Sequence, residues 1–142
     1  MAQSNIARMR APLDSPIMRE FAEQLEPVNR IADESPGFVW RLQGYEGNAT
    51  AIHAYDDPLI LFNMSVWESL FALHEYTYRS AHAAVFRDRK RWFEQQDGPS
   101  YAMWWITAGE LPSVEDGKQR LEHLRANGAS PYAFDFRNRF DL

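Results

Sequence analysis

A chain of 142 residues with 45% hydrophobic and 25% charged side chains has the balance of one globular domain and no room for two. A formal net charge of -5 argues against nucleic acid as a partner, since that normally needs a basic face. Cysteine is absent, which excludes disulfides, zinc–thiolate centres and thiol nucleophiles.

The polar N-terminal stretch, broken by Arg8 and Arg10, is not expected to act as a signal peptide. No apolar run approaches the roughly 18 residues of a membrane span, so a cytoplasmic protein without a membrane partner is expected. Aromatic residues reach 14%. They fit either a bulky core or an aromatic-walled pocket or interface.

In chain order, residues 3–9 read as a strand. Asp14-Ser15-Pro16 opens a helix over roughly residues 16–33, with Met18, Phe21, Leu25, Val28 and Ile31 at helical spacing. Pro27 is expected to kink or split it, and Ser35-Pro36-Gly37 to end it. A second strand covers residues 38–42. A turn-rich connection over 43–58 could add a short strand at residues 51–55. Residues 59–67 form the clearest strand, and residues 68–95 are helical with a break near Ser80. Residues 101–107 are a fourth strand. Pro112-Ser113 starts a last helix that Asn127-Gly128 stops. Phe134, Phe136 and Phe140 then alternate with charged residues along a half-buried strand or extended arm. The β-α-β-β-α-β order predicts an α+β, ferredoxin-like split βαβ domain with a four-stranded antiparallel sheet and an extra C-terminal helix and strand.

Leu59-Ile60-Leu61-Phe62 and Met103-Trp104-Trp105-Ile106 are apolar on both faces. Two helices cover only one face of a four-stranded sheet, so a homodimer packed sheet against sheet is expected, through the face bearing Trp40 or Trp105. The alternative is that the C-terminal helix and tail cover that face within one chain.

On the third strand, Ile60, Phe62, Met64 and Val66 suit a helix-packed core. Leu59, Leu61, Asn63, Ser65 and Trp67 form the other, more polar set. The amide of Asn63 and the indole N–H of Trp67 could together hold a ligand oxygen or oxyanion. The alternative is an Asn tied to neighbouring backbone and a Trp that belongs to the core. On the following helix Phe71, His74, Tyr78, His82, Val85, Arg89 and Trp92 recur at steps of three or four, so Tyr78 and His82 join the candidate site. If Ser80 starts a new segment, His82 lies in its first turn, where the helix dipole favours neutral imidazole, a base or metal ligand. Arg87 or Arg89 could turn inward to hold an anion. No dinucleotide fingerprint, P-loop, nucleophile elbow or zinc-protease motif occurs, and no metal site is expected.

The segments Ser35-Pro36-Gly37-Phe38-Val39-Trp40-Arg41-Leu42, Gly47-Asn48-Ala49-Thr50, Asp56-Asp57-Pro58, Asn63-Met64-Ser65-Val66-Trp67-Glu68-Ser69, Ala81-His82 and Trp92-Phe93 carry a resemblance. The chain resembles a bacterial domain family of unknown function grouped with the dimeric α/β-barrel superfamily. That superfamily includes antibiotic-biosynthesis monooxygenases, small dimers that oxidise polycyclic phenols without a cofactor, and haem-degrading relatives. Asn63, Trp67 and Arg87 are similar in spacing to the substrate-binding Asn, Trp and Arg of a quinone-forming member. Asn5 and His82 resemble the Asn and His of the haem-degrading type, but Ala72 stands where that type has a Trp. The resemblance implies a small aromatic substrate, no required cofactor, and Asn63, Trp67, Tyr78 and His82 as the reacting set. Trp40, Trp105, Arg87, Arg89 and Asn5 would surround the substrate. The other reading is a non-catalytic ligand-binding or haem-binding dimer with His82 as axial ligand.

Overall fold

The first strand, β1 (Ala2–Arg8), lies at the centre of the sheet. It pairs antiparallel with both β3 (Ile60–Trp67) and β4 (Tyr101–Trp104), while β2 (Phe38–Arg41) pairs with the outer edge of β3. The strand order β2-β3-β1-β4 is that of a ferredoxin-like α+β domain. The computed structural model describes residues 1–44, 47–80 and 82–142. Residues 45 and 46 of the 43–58 connection, and Ala81 of the Ala81-His82 segment, lie outside the described residues.

Helix α1 (Arg19–Glu34) follows a 3-10 turn at Pro16–Met18 and runs unbroken through Pro27. Proline removes one N–H and clashes with the preceding turn, which was expected to kink or split the helix; it does not split it. Pro27 lies on the exposed side, where water can satisfy the freed carbonyl, and the helix continues. Gly37 then turns the chain into β2 with φ +81°, and a Cβ there would lie 2.6 Å from the Ala72 Cβ. Only glycine meets both demands.

Helix α2 (Leu70–Arg79) is capped by Ser69, whose hydroxyl accepts from the Ala72 N–H at 3.0 Å. It ends at Ser80, as expected. The Ser80 hydroxyl donates back to the Tyr76 carbonyl at 2.5 Å and accepts from the His82 N–H at 3.1 Å. The short helix α3 (His82–Arg87) and a 3-10 turn at Arg89–Arg91 follow. Residues 51–55 form turns and bends rather than a strand.

Helix α4 (Val114–Asn127) starts in a capping box between Ser113 and Asp116 and stops at Gly128. It packs on the apolar side of the sheet, where Phe62, Met64, Val66, Ala2, Ile6 and Trp104 join Leu121 and Leu124 in one core. Trp40 packs on this side too, so it is one of the two faces, bearing Trp40 or Trp105, on which a second copy was expected to dock. It is covered from within the chain, so the premise for a sheet-to-sheet dimer there is gone. Helices α1 to α3 lie over the opposite face, the one bearing Asn63, which reverses the expected assignment of the two faces. The C-terminal segment is an arm with a single bridge to β4, where Phe134 and Met103 exchange backbone hydrogen bonds of 2.8 and 2.9 Å. Among the described residues, no helix is long and apolar enough to cross a membrane.

Candidate functional site

Helix α1 is strongly amphipathic; at one end of its apolar stripe Phe21 packs in a cluster with Leu61, Trp92 and Phe93, while Leu25 and Val28 face open space. A cleft of about 800 Å³ separates this part of the stripe from β1 and β3 and extends to α2, α3 and the C-terminal arm. Protein interiors normally fill such space with side chains. The volume falls within the range of small-molecule sites.

One wall is a run of aromatic rings. Trp67 meets Phe38 edge-on at 5.4 Å between centroids and stacks on Tyr76 at 4.9 Å. Tyr76 in turn stacks on His82 at 4.8 Å. Tyr78 and Phe136, 5.5 Å apart, continue the wall towards the arm. Burial pushes the Tyr76 phenol well above its ordinary value, with Arg41 opposing and Asp33 adding to the shift. Burial likewise lowers the His82 imidazole, against a weaker opposing hydrogen bond to Thr77. The Thr77 carbonyl, 3.3 Å from His82 Nδ1, can only accept. The proton therefore sits on Nδ1, and Nε2 carries the free lone pair.

The floor is polar. Trp67 Nε1 donates to Ser65 Oγ at 2.9 Å, and Gln3 Nε2 donates to the same oxygen at 2.8 Å. Asn5 Nδ2 donates to Gln3 Oε1 at 3.0 Å. Asn63 faces Asn5 directly across the β1–β3 ladder, and its Oδ1 accepts from the Met64 N–H at 2.8 Å.

The cleft brings together Asn5, Asn63, Trp67, Tyr78, His82 and Arg89, each expected at the site. Their roles differ from the expected ones. The Trp67 indole N–H already donates to Ser65 and the ring is 1% exposed, so Trp67 is a wall rather than a donor to a ligand. Tyr78 is 40% exposed at the rim. Arg89 donates to the Phe86 carbonyl, and its guanidinium lies 4.1 Å from the centre of the Phe86 ring.

Three expected residues do not line the cleft. Trp40 packs on the α4 side of the sheet, because a bulge between Phe38 and Trp40 sends their side chains to opposite faces. Trp105 donates its N–H to the Phe140 carbonyl at 2.7 Å and anchors the arm. Arg87 is exposed at the end of α3.

Tyr76, Gln3 and Ser65 emerge as central. The spacing Leu73-Tyr76-Thr77-Ser80 marks the inward face of α2 and could have identified Tyr76. The break at Ser80 resets the helical phase, which is why His82 stacks on Tyr76 rather than continuing the Phe71-His74-Tyr78 stripe.

No curated protein and no solved structure matches this chain. The family model described as Domain of unknown function (DUF3291) matches residues 1–142, and the chain belongs to that family.

Proposed function

We propose that the protein binds a planar aromatic small molecule in the cleft and oxidises it with dioxygen, without a resident cofactor. The observation that carries this reading is the Leu25 and Val28 part of the α1 stripe held away from the sheet, opposite the Trp67–Tyr76–His82 stack. Apolar walls with a few convergent polar groups are the usual make-up of a small-molecule site. His82, neutral and protonated on Nδ1, is suited to accept a proton at Nε2. In a hydroxylated polycyclic substrate it would take a proton from a ring CH2 made acidic by a neighbouring carbonyl. The resulting carbanion gives its electrons to O2, and loss of water from the peroxide leaves a carbonyl. The balance is CH2 + O2 → C=O + H2O, with every electron supplied by the substrate.

The resemblance to the antibiotic-biosynthesis monooxygenases supports the same chemistry, and with it a cytoplasmic homodimer. Such a dimer would use a surface other than the Phe62–Met64–Val66 face, which α4 covers. Light scattering that gives the mass of one chain would remove the dimer from the proposal.

Oxygen uptake with anthrone-type substrates tests the reaction. One O2 should be consumed per carbonyl formed, and His82→Ala should lower kcat by about 10²–10⁴-fold. Absence of oxygen uptake with every polycyclic phenol tried would refute the oxygenase.

A second reading, haem binding, rests on the same Thr77–His82 contact, since a hydrogen-bonded Nδ1–H is the usual support for a ligating histidine. The aromatic walls and the free Nε2 fit such a group, with Arg10, Arg89 and Lys90 at the cleft to meet its carboxylates. A Soret band in the purified protein that is lost in His82→Ala would favour this reading.

A further inference from the structure

The floor of the cleft holds two amides fixed in opposite senses. Asn63 Oδ1 accepts a backbone N–H, a group that can only donate, so its Nδ2 must be the free end. Among the described residues Nδ2 has no protein acceptor. Asn5 is turned the other way. Its Nδ2 donates to Gln3, which donates to Ser65, which also accepts the Trp67 N–H. That relay leaves Asn5 Oδ1 as a free acceptor. Asn5 and Asn63 are direct partners across the antiparallel ladder, on the face that lines the cleft. Directly opposed residues have Cβ atoms roughly 5 Å apart. A free donor and a free acceptor thus stand side by side, each oriented by a bond its own side chain already makes.

We infer that the Asn5–Asn63 pair recognises one edge of a planar ring on which a carbonyl sits beside an N–H or O–H. The ligand carbonyl accepts from Asn63 Nδ2, and the neighbouring N–H or O–H donates to Asn5 Oδ1. Aromatic lactams and fused-ring phenols with an adjacent carbonyl have this edge. Simple hydrocarbons and N-alkylated lactams do not. The rings above that edge would lie between the α1 stripe and the Trp67–Tyr76–His82 wall. This assignment rests on the proposal that the cleft takes a planar aromatic ligand, and it specifies which ones.

Three probes separate the contributions: isoquinolin-1-one, which has both groups, N-methylisoquinolin-1-one, which keeps only the carbonyl, and naphthalene, which has neither. Binding is read by quenching of intrinsic tryptophan fluorescence. The lactam should bind about tenfold more tightly than its N-methyl form, as expected for one hydrogen bond of about 1.4 kcal/mol. Asn63→Asp keeps the oxygen that accepts the Met64 N–H and replaces the free donor, so it should weaken both lactams about tenfold or more. Asn5→Leu removes the acceptor and should abolish the difference between the two lactams. Melting curves for both variants verify that they fold.

Equal binding of all three probes by the wild-type chain would overturn the paired-amide assignment and leave the aromatic cleft intact. Binding of none of them would overturn both. Loss of selectivity in neither folded variant would place the recognition elsewhere in the cleft and also overturn the assignment.

Discussion

Gly117 of α4 lies against Met64 of β3 so closely that a Cβ on the glycine would come 2.7 Å from the Met64 Sδ, with Phe62 Cζ at 2.9 Å and Ser4 Cβ at 3.2 Å. The Ser4 hydroxyl reaches the Gly117 carbonyl at 2.9 Å and clamps helix to sheet at the same point. This contact explains a helix-interior glycine, which costs up to about 1 kcal/mol relative to alanine in propensity alone.

Enlarging residue 117 should therefore separate α4 from the sheet. Alanine recovers propensity but meets fully buried neighbours, so Gly117→Ala should be destabilising by about 1 kcal/mol net. Gly117→Val should cost about 3 kcal/mol or more, since overpacking dominates and the branched side chain adds to it. Urea denaturation gives both values. A Gly117→Val protein as stable as wild type would show that α4 does not press on β3.

Ser65 is the acceptor for two buried donors, Trp67 Nε1 and Gln3 Nε2. Ser65→Ala leaves both without a partner and should cost about 2–4 kcal/mol. Adding Trp67→Phe removes one of the two orphaned donors, so the double variant should lose less than the sum of the singles. A double-mutant cycle measures this coupling. Strict additivity would mean that the indole and hydroxyl do not interact.

Stability should depend on pH through His82. Burial holds its folded-state pKa below the ordinary value of 6.5. Between the two values the unfolded chain binds the extra proton, so acid favours unfolding. The contribution is complete above about pH 6.5 and is lost as pH falls through this window, at up to about 1.4 kcal/mol per pH unit. His82→Phe keeps the ring against Tyr76 and removes the proton site. Its unfolding free energy should fall less steeply than wild type below pH 6.5, and parallel curves would contradict the assignment.

Much of the fold is legible from residue patterns. The strands read over residues 3–9 and 59–67 are β1 and β3, the Ser113 cap and Gly128 stop bounded α4, and Ser80 marked the break between α2 and α3. Pro27 does not split α1, because the carbonyl it leaves free lies on the exposed side of the helix. The two faces of β3 were exchanged for a different reason. Ile60, Phe62, Met64 and Val66 do form a helix-packed core, but the helix is α4, and strand periodicity carries no information on which helix covers which face. The site was legible on the strands, where a period of two placed Asn63 and Trp67 on one side. Gln3 and Tyr76 were missed because their roles depend on contacts with Ser65 and Trp67 that only the folded chain creates.

Gly37 offers a further test. Gly37→Ala meets both a left-handed backbone and the Ala72 methyl, and should cost about 2–4 kcal/mol. Ala72→Gly in the same chain relieves the steric part only, so stability should recover partly. Full recovery, or no loss in the single variant, would contradict the close approach.

The covering of the sheet by α4 also has a consequence for how the chain is made. β4 ends at Trp104, and α4 begins ten residues later at Val114. The Ser4–Gly117 clamp joins residues 113 apart in sequence. On a ribosome adding about 5–20 residues per second, the four strands leave the exit tunnel seconds before their cover does. During that interval the Phe62–Met64–Val66 surface is bare and adhesive, and the nascent chain is most vulnerable to aggregation. Emergence of α4, rather than completion of the sheet, is therefore the step that closes this core.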